Sequence, residues 1–253
     1  MPDDGFYYRS DLALVHHLGF GFHARLCTPG ILELLQPVLE RGGLVVELGC
    51  GSGLLTKPLV AAGHRVIATD ASPAMLEIAE RYAPGTEDLR RLVLPDDPIP
   101  DADAVVSVGH TLSYLPDADA IDRALVASAE ALRPGGVFAL DLCDLEQNRA
   151  RAGAGAGGSN YSAVNDHWAL ITRFEIPAPD RFVREMTTFI RDDDGSWHRD
   201  DERHENVLVD TAQVPALLAE HGVDAFVGRS FGDPIHELMP GVNAIVGHRR
   251  SEA

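Results

Sequence analysis

The feature that most constrains the fold is a regular alternation of short apolar segments and helical stretches between residues 44 and 145. The apolar segments cover residues 44–48, 64–69, 89–94, 104–108 and 137–140, and the helical stretches cover residues 54–62, 72–79 and 120–132. Strands that alternate with helices pair in parallel through right-handed crossovers, because each helix crosses one face of the sheet. This part of the chain therefore predicts a doubly wound α/β fold.

The rest of the chain is expected to belong to the same single domain, which spans residues 1–253. Its four parts are N-terminal helices over 1–43, the α/β core over 44–145, inserted antiparallel strands over 160–210, and a C-terminal helix with the last two strands over 211–253. In the first part, one helix is expected over 11–18. A second is expected to begin at Thr28 and Pro29, where a capping residue precedes proline.

The inserted part has a different pattern from the core. The expected strands cover residues 168–174, 181–191 and 197–209, and a turn, DDGS, lies between the last two. Such runs predict successive antiparallel strands rather than another strand–helix–strand unit. The preceding segment, RAGAGAGGS at 151–159, is too rich in glycine and alanine for core packing and predicts a flexible loop.

Charge and cysteine content narrow the class of protein. The chain has 21 Lys and Arg against 39 Asp and Glu, a net charge of −18, which disfavours nucleic acid and anionic membrane surfaces as partners. No apolar run approaches the roughly 18 to 20 residues of a membrane span, and the acidic N-terminus does not resemble a signal peptide. Cys27, Cys50 and Cys143 lack metal or disulfide spacing, and we expect a cytoplasmic protein.

A glycine-dense turn follows the first core strand in the segment VVELGCGSG. Gly49, Gly51 and Gly53 let the backbone approach a ligand closely, and the next helix begins with free N–H groups. Asp70 ends the second strand, 19 residues after Gly51, where a carboxylate can accept from the hydroxyls of an adenosine ribose. The alternative is a structural turn with a surface aspartate. The combined order of elements favours a nucleotide site.

Two residues distinguish between nucleotides. Leu54 stands where a dinucleotide-binding loop has its third glycine. Glu47, two residues before the first glycine, would repel a pyrophosphate but suits a ligand with a positive charge or an amine. S-adenosylmethionine (SAM) has both a sulfonium and an α-amine. The sequence therefore favours SAM over NAD.

Four motifs in this order resemble those of the class I SAM-dependent methyltransferases. They are ELGCGSG at 47–53, TDASPAML at 69–76, DAVVS at 103–107 and LRPGG at 132–136. The resemblance covers about residues 40–145 and implies a Rossmann-like seven-stranded sheet whose last strand is antiparallel. The segment HHLGFG at 16–21, with Ala24 and Arg25, resembles a subgroup of small bacterial enzymes that methylate small molecules, in which the leading helices form a lid over SAM.

The resemblance also implies roles for individual residues in cofactor binding. Backbone around Gly49, Cys50 and Gly51 would hold the methionine part, and Asp70 would bind the ribose. Ala71 and Met75 would pack near the adenine. The full set of expected cofactor-binding residues is Tyr8, Arg25, Glu47, Gly49, Cys50, Gly51, Asp70, Ala71, Met75, Asp96, Asp97 and Gly109.

Two of these assignments, those of Asp96 and Tyr8, have alternatives. Asp96 would face the adenine amine, but the segment LPDDP departs from the usual motif and Asp97 serves equally well. Arg25 could pair with the SAM carboxylate. Tyr8, or its neighbour Tyr7, would cover the methionine side, and anchoring of the N-terminal helix explains these tyrosines as well.

Methyl transfer needs alignment of the nucleophile and, for some acceptors, a base that removes a proton. Histidine suits that role because its pKa lies near neutrality. His110 follows the fourth strand at the carboxyl end of the sheet, where ligands bind; His16 in the lid and His204 in the inserted strands are alternatives. A structural or substrate-contacting histidine is the competing interpretation. The acidic cluster at 192–194 with His198 matches no metal-ligand spacing, and no metal is expected.

We therefore expect a SAM-dependent methyltransferase that acts on a small-molecule acceptor in a bacterial metabolite or natural-product pathway. Whether oxygen, nitrogen or carbon is methylated is left open, as is the oligomeric state, with a homodimer as one alternative. A nucleotide-dependent oxidoreductase is disfavoured by Leu54 and by the motifs at 103–107 and 132–136. A protein that binds SAM for sensing or for other chemistry is the remaining alternative, since a fold does not fix a function.

Overall fold

A computed structural model describes residues 7–151, 160–232 and 236–251 of the chain. The helices are α1 Ser10–Gly19, α2 Phe22–Leu34, α3 Gln36–Glu40, α4 Thr56–Ala61, α5 Pro73–Tyr82, α6 Ala118–Glu130, α7 Leu145–Arg151 and α8 Val214–Glu220. The strands are β1 Leu44–Leu48, β2 Arg65–Asp70, β3 Asp88–Arg91, β4 Ala102–Ser107, β5 Leu132–Cys143, β6 Asn160–Val164, β7 Trp168–Ala178, β8 Arg181–Arg191, β9 Trp197–Val207, β10 Val223–Gly228 and β11 Val242–Arg249.

The core is a seven-stranded sheet in the order β10-β11-β5-β4-β1-β2-β3. Strands β1 to β5 pair in parallel, and β11 runs antiparallel to both β5 and β10. Val45 and Val46 are both fully buried but belong to two different apolar clusters, one on each face of the sheet. A strand buried on both faces explains the continuous apolar run in the sequence. The predicted doubly wound sheet with an antiparallel last strand is confirmed.

A second, antiparallel sheet has the strand order β6-β7-β8-β9. Three of its strands match the predicted ones, whereas β6 has no counterpart in the prediction, because its residues are mostly exposed and show no apolar pattern. Helix α1 packs on this sheet through an apolar cluster that comprises Leu12, Val15, Trp168, Leu170 and Met186. The predicted loop at 151–159 lies, from residue 152 onward, outside the described residues.

The second helix differs from its prediction. It begins at Phe22, six residues before the expected start, and Pro29 lies inside it. The buried side chains His23, Cys27 and Ile31 are spaced four residues apart and form one continuous helical face. Packing of this face outweighs the backbone hydrogen bond that proline removes, so the proline does not mark a boundary. None of the described helices is long and apolar enough to cross a bilayer.

Candidate active site

A cavity of about 350 Å³ lies at the carboxyl end of the parallel strands. Its floor comes from the glycine loop and the end of β2, and its sides come from segments 92–94 and 108–116. Residues of the N-terminal segment, including Tyr7 and Tyr8, complete it. Ten of the residues predicted for the site line this cavity: Tyr8, His16, Glu47, Gly49, Cys50, Gly51, Asp70, Ala71, Met75 and Gly109.

Three glycines of the loop, Gly49, Gly51 and Gly53, have positive φ, and the first two shape the cavity. Gly49 has φ +66°, and a Cβ there would lie 2.2 Å from a side-chain carbon of Thr111, so no larger residue fits. Gly51 has φ +54°, and a Cβ there would meet nothing closer than the Met75 sulfur at 3.9 Å. The first glycine therefore permits close packing of two loops. The second leaves open space for a ligand against the backbone.

The carboxylate of Asp70 joins the glycine loop to the start of α5. The backbone N–H of Gly51 donates to one oxygen and that of Ser72 to the other, both at 2.8 Å. Burial raises the pKa of this carboxyl, and the hydrogen bonds from the backbone oppose that rise. Each oxygen keeps a second lone pair, so the half-buried group can also accept from hydroxyls in the cavity.

Glu47 is a second carboxyl on the cavity wall. Its side chain is buried and accepts a hydrogen bond of 2.7 Å from the Thr56 hydroxyl. Burial raises its pKa to about 8, the Thr56 hydrogen bond lowers it, and the neighbouring Asp70 raises it further. At neutral pH the carboxyl is therefore largely protonated, and a bound cation would favour its ionised form.

The variant Glu47→Gln is expected to raise the thermal unfolding midpoint at about pH 9 by several degrees and to leave it nearly unchanged at about pH 4. Because the folded pKa of about 8 exceeds the ordinary 4.5, the stability that Glu47 supplies is complete below 4.5 and is lost as pH rises through 8. Calorimetric unfolding at both pH values checks this. Glu87→Gln, at an exposed carboxyl with a pKa lowered by Arg65, is the control and should show no gain at high pH. An equal shift of the Glu47→Gln midpoint at both pH values would contradict the assignment.

The three predicted histidines lie in different surroundings. His16 lines the cavity, and burial, followed by Arg184, lowers its pKa to about 4. His110 lies outside the lining, and burial lowers its pKa to about 3. His204 is fully buried in the small sheet, where its Nε2 contacts a Glu202 oxygen at 2.9 Å. Of the three, only His16 therefore faces the cavity directly, and it is neutral near pH 7.

Arg25, Asp96 and Asp97 are exposed and do not line the cavity. The carboxylate of Asp97 instead accepts the backbone N–H of Val93 at 2.7 Å, which turns the acidic segment back on itself. The guanidinium of Arg25 covers Gly21 at the start of α2. Residues Leu92, Val93 and Leu94 form this side of the cavity in place of the predicted acids.

Tyr8 holds the N-terminal segment over the cavity. Its backbone has φ +61°, a conformation that non-glycine residues adopt rarely and at some energetic cost. Its N–H donates to Glu202 at 2.8 Å, and its carbonyl accepts the Ser72 hydroxyl at 2.8 Å. Its own hydroxyl lies 2.9 Å from that of Tyr114. These contacts join the start of α5, the small sheet and the segment after β4.

A buried carboxylate that the sequence analysis missed shapes the loop after β4. Asp141 on β5 is fully buried, and its oxygens accept from the His23 ring at 2.7 Å and from the backbone N–H groups of Gly109 and His110 at 3.0 and 2.6 Å. Burial acts to raise its pKa, but the hydrogen bonds and nearby histidines hold that pKa below the ordinary value. An aspartate within the apolar run ALDLC was the signal available in the sequence.

The acidic cluster at residues 192–194, near the β8–β9 turn, makes hydrogen bonds at the surface. The exposed ring of His198 contacts Asp192 at 3.0 Å on one side and Asp11 at 2.8 Å on the other. Over residues 7–151, 160–232 and 236–251, no group of three or more His, Cys, Asp or Glu side chains is arranged to hold a metal ion.

A doubly wound sheet with a glycine loop after β1 and an acidic residue at the end of β2 defines a nucleotide-binding α/β protein. Residues 45–136 match a family described as a methyltransferase domain. The matched stretch runs from β1 into β5 and contains the glycine loop and Asp70, so this part of the chain is a methyltransferase domain.

A ubiquinone biosynthesis O-methyltransferase from Xanthomonas euvesicatoria is 30% identical over 141 residues, which cover 53% of this chain and 57% of that protein. The chain thus spans about half the length of this relative.

Two solved structures share the fold over nearly the whole chain. A SAM-dependent methyltransferase from Clostridium acetobutylicum superposes with a TM-score of 0.75 at 18% identity, covering 94% of this chain and 98% of that one. A sugar N-methyltransferase from Streptoalloteichus sp. has a TM-score of 0.73 at 20% identity, covering 99% and 96%. At these identities the likeness concerns the architecture alone.

Proposed function

We propose that the protein transfers a methyl group from SAM to a small-molecule acceptor in a bacterial metabolite or natural-product pathway in the cytoplasm. The observation that carries this proposal is the cavity bounded by both the glycine loop and the aromatic residues of the N-terminal segment. A site enclosed on this scale admits a nucleotide and a small acceptor, not a macromolecular surface. The net charge of −18 also disfavours nucleic acid.

The residues on the cavity wall fit SAM. The volume of about 350 Å³ lies within the usual range for small-ligand sites. The carboxyls of Glu47 and Asp70 both line it, and they match the cationic methionine part and the ribose hydroxyls of SAM. The open space beside Gly51 lets the ligand approach the backbone.

In the proposed arrangement, the backbone of Gly49, Cys50 and Gly51 holds the methionine part, and Asp70 accepts from the ribose. Ala71 and Met75 pack against the adenine. The adenine edge meets segment 92–94 rather than Asp96 or Asp97, which are exposed outside the lining. Tyr8, fixed by Ser72 and Glu202, covers the methionine side and excludes water.

When bound, SAM supplies an electrophilic methyl carbon whose leaving group is a thioether. The chain aligns the acceptor against this carbon and removes a proton where the nucleophile carries one. We assign the base to His16, because its ring lines the cavity and burial keeps it neutral. Tyr114 forms the neighbouring wall, and its hydroxyl orients that of Tyr8.

Calorimetric titration of the purified protein with SAM, S-adenosylhomocysteine (SAH) and NAD tests the proposal. We expect micromolar binding of both SAM species and none of NAD. A screen of small amines, alcohols and carbon acids for release of SAH then identifies the acceptor class. Binding of NAD in place of SAM would overturn the cofactor assignment. Binding of SAM without SAH release from any acceptor would favour the alternative, a SAM-binding protein that does not methylate.

A further inference from the structure

Arg184 on β8 is the most unusual charged residue beside the site. One guanidinium nitrogen, Nη2, donates to the Tyr114 hydroxyl and to the Asn206 side-chain oxygen, the latter at 3.0 Å. The guanidinium carbon lies 5.4 Å from the centre of the Tyr114 ring. Its Nε is buried and, within the described part of the chain, has no hydrogen-bond partner.

Arg184 differs from other arginines of its sheet in its ion pairing. Among the residues that the structure describes, none of the ion pairs includes Arg184, whereas Arg173, Arg199 and Arg203 of the same sheet all pair with carboxylates. Glu202, a buried acid on the neighbouring strand, accepts from the backbone of Tyr8 and contacts the His204 ring. A cation that loses water without gaining a counter-ion is costly to the folded state.

A second unpartnered donor lies next to Arg184. Asn206 is fully buried, and its Oδ1 accepts from the Arg184 guanidinium, which leaves the amide nitrogen Nδ2 of the same side chain as a donor. Across the described ranges, this nitrogen has no hydrogen-bond partner either. Arg184 Nε and Asn206 Nδ2 can only donate, because neither carries a free lone pair. Two unpartnered donors on contacting side chains and an unbalanced positive charge match the oxygens of an anion.

The position of these groups connects them to the active site. Tyr114, which receives the Arg184 hydrogen bond, lines the cavity, and its hydroxyl also contacts Tyr8. Arg184 as a whole residue is half-buried, while its Nε is enclosed close to the Tyr114 wall of the cavity. A small acceptor with its nucleophile near His16 would therefore extend past Tyr114 toward Arg184.

We propose that Arg184 and Asn206 form an acceptor subsite for an anionic oxygen group, a carboxylate or a phosphate. The methyl acceptor is then an anionic small molecule. This inference rests on the proposed function, because it deepens the same site. It adds a charge requirement that the cofactor-binding residues do not impose.

Titration of the SAH-loaded protein with benzoate, benzamide and inorganic phosphate tests the subsite. Benzoate and benzamide have nearly the same shape and differ in charge. We expect benzoate to bind at least about tenfold more tightly than benzamide, since charge-assisted hydrogen bonds are about twice as strong as neutral ones. Binding of phosphate at the same site, competing with benzoate, would identify a phosphate-bearing acceptor, and failure to compete would identify a carboxylate.

Arg184→Gln should remove the preference for benzoate, and Asn206→Leu should reduce it. Arg173→Gln, at an exposed arginine of the same sheet that pairs with acids, is the matched control and should keep it. Unchanged SAH affinity in each variant shows that the fold and the cofactor site are intact, and Arg184→Lys, which keeps the charge, should retain part of the preference. Equal binding of benzoate and benzamide, no binding of either, or an unaltered preference in Arg184→Gln overturns the inference. Failure of the wild-type protein to bind SAH would contradict the proposed function instead.

Discussion

Asp70→Ala is expected to weaken SAM and SAH binding by at least about 100-fold while the protein stays folded. A carboxylate that accepts from two ribose hydroxyls contributes about 1.5 to 3 kcal/mol for each charged hydrogen bond. The substitution also frees the N–H groups of Gly51 and Ser72, which hold the loop in its binding conformation. The lost ribose hydrogen bonds and the loosened loop both lower the affinity for SAM and SAH. Calorimetric titration with SAH measures the change.

Asp70→Asn and a remote aspartate provide the controls. The asparagine keeps one oxygen acceptor, so its SAH affinity should lie between those of the wild type and Asp70→Ala. Asp210 also accepts a backbone N–H, from Ala212 at 3.1 Å, but it is exposed and outside the cavity lining. Asp210→Ala should leave SAH affinity unchanged. Wild-type affinity in Asp70→Ala would remove Asp70 from the cofactor site.

His16→Ala is expected to lower turnover by about 100- to 10,000-fold, the usual range for a general base, with little change in SAM affinity. The pKa of about 4 means that His16 is neutral above that value, so turnover through this base should fall as pH drops through 4. SAH release with the acceptor found in the screen gives the rate. Calorimetry gives the affinity.

His110→Ala and His204→Ala test the competing assignments. Neither ring lines the cavity, and His204 contacts Glu202, so we expect smaller losses of turnover than in His16→Ala. If His110→Ala loses turnover and His16→Ala retains it, His110 is the base. If all three variants keep full turnover, the nucleophile reacts without a protein base.

Local patterns in the sequence were enough to predict the central sheet. Strands β1, β2, β4 and β5 each carry an apolar run, and the turn after β1 is encoded by three closely spaced glycines. The strand predicted over 89–94 is shorter than expected, because β3 covers Asp88–Arg91 and the apolar residues 92–94 follow it. Strand β6 was missed because its exposed side chains show no apolar pattern. The start of α2 was misplaced because a proline signal competes with a buried face whose partners lie elsewhere in the chain.

The contacts that shape the site depend on distant pairs of residues. Asp141 and His23 are hydrogen-bonded although 118 residues separate them in the sequence, and Tyr8 and Glu202 are hydrogen-bonded over a separation of 194 residues. No local pattern indicates such pairs, and an apolar strand with one aspartate gives only a hint that a partner exists. The cofactor loop, by contrast, lies within a short stretch of chain, from Glu47 to Asp70. This difference explains why the cofactor could be inferred from the sequence and the acceptor subsite could not.

The small sheet also bears on how such a protein can diverge during evolution. The matched methyltransferase domain ends at residue 136, and the small sheet begins at Asn160. Substitutions on β8 and β9 can therefore change the contacts with Tyr8 and Tyr114 without disturbing the hydrogen bond between Gly51 and Asp70. Descendants of one ancestor can keep a single methyl donor while changing the molecules they modify. The segment at Tyr8 limits which substitutions are tolerated, because it is hydrogen-bonded both to Glu202 of the small sheet and to Ser72 of the α/β core.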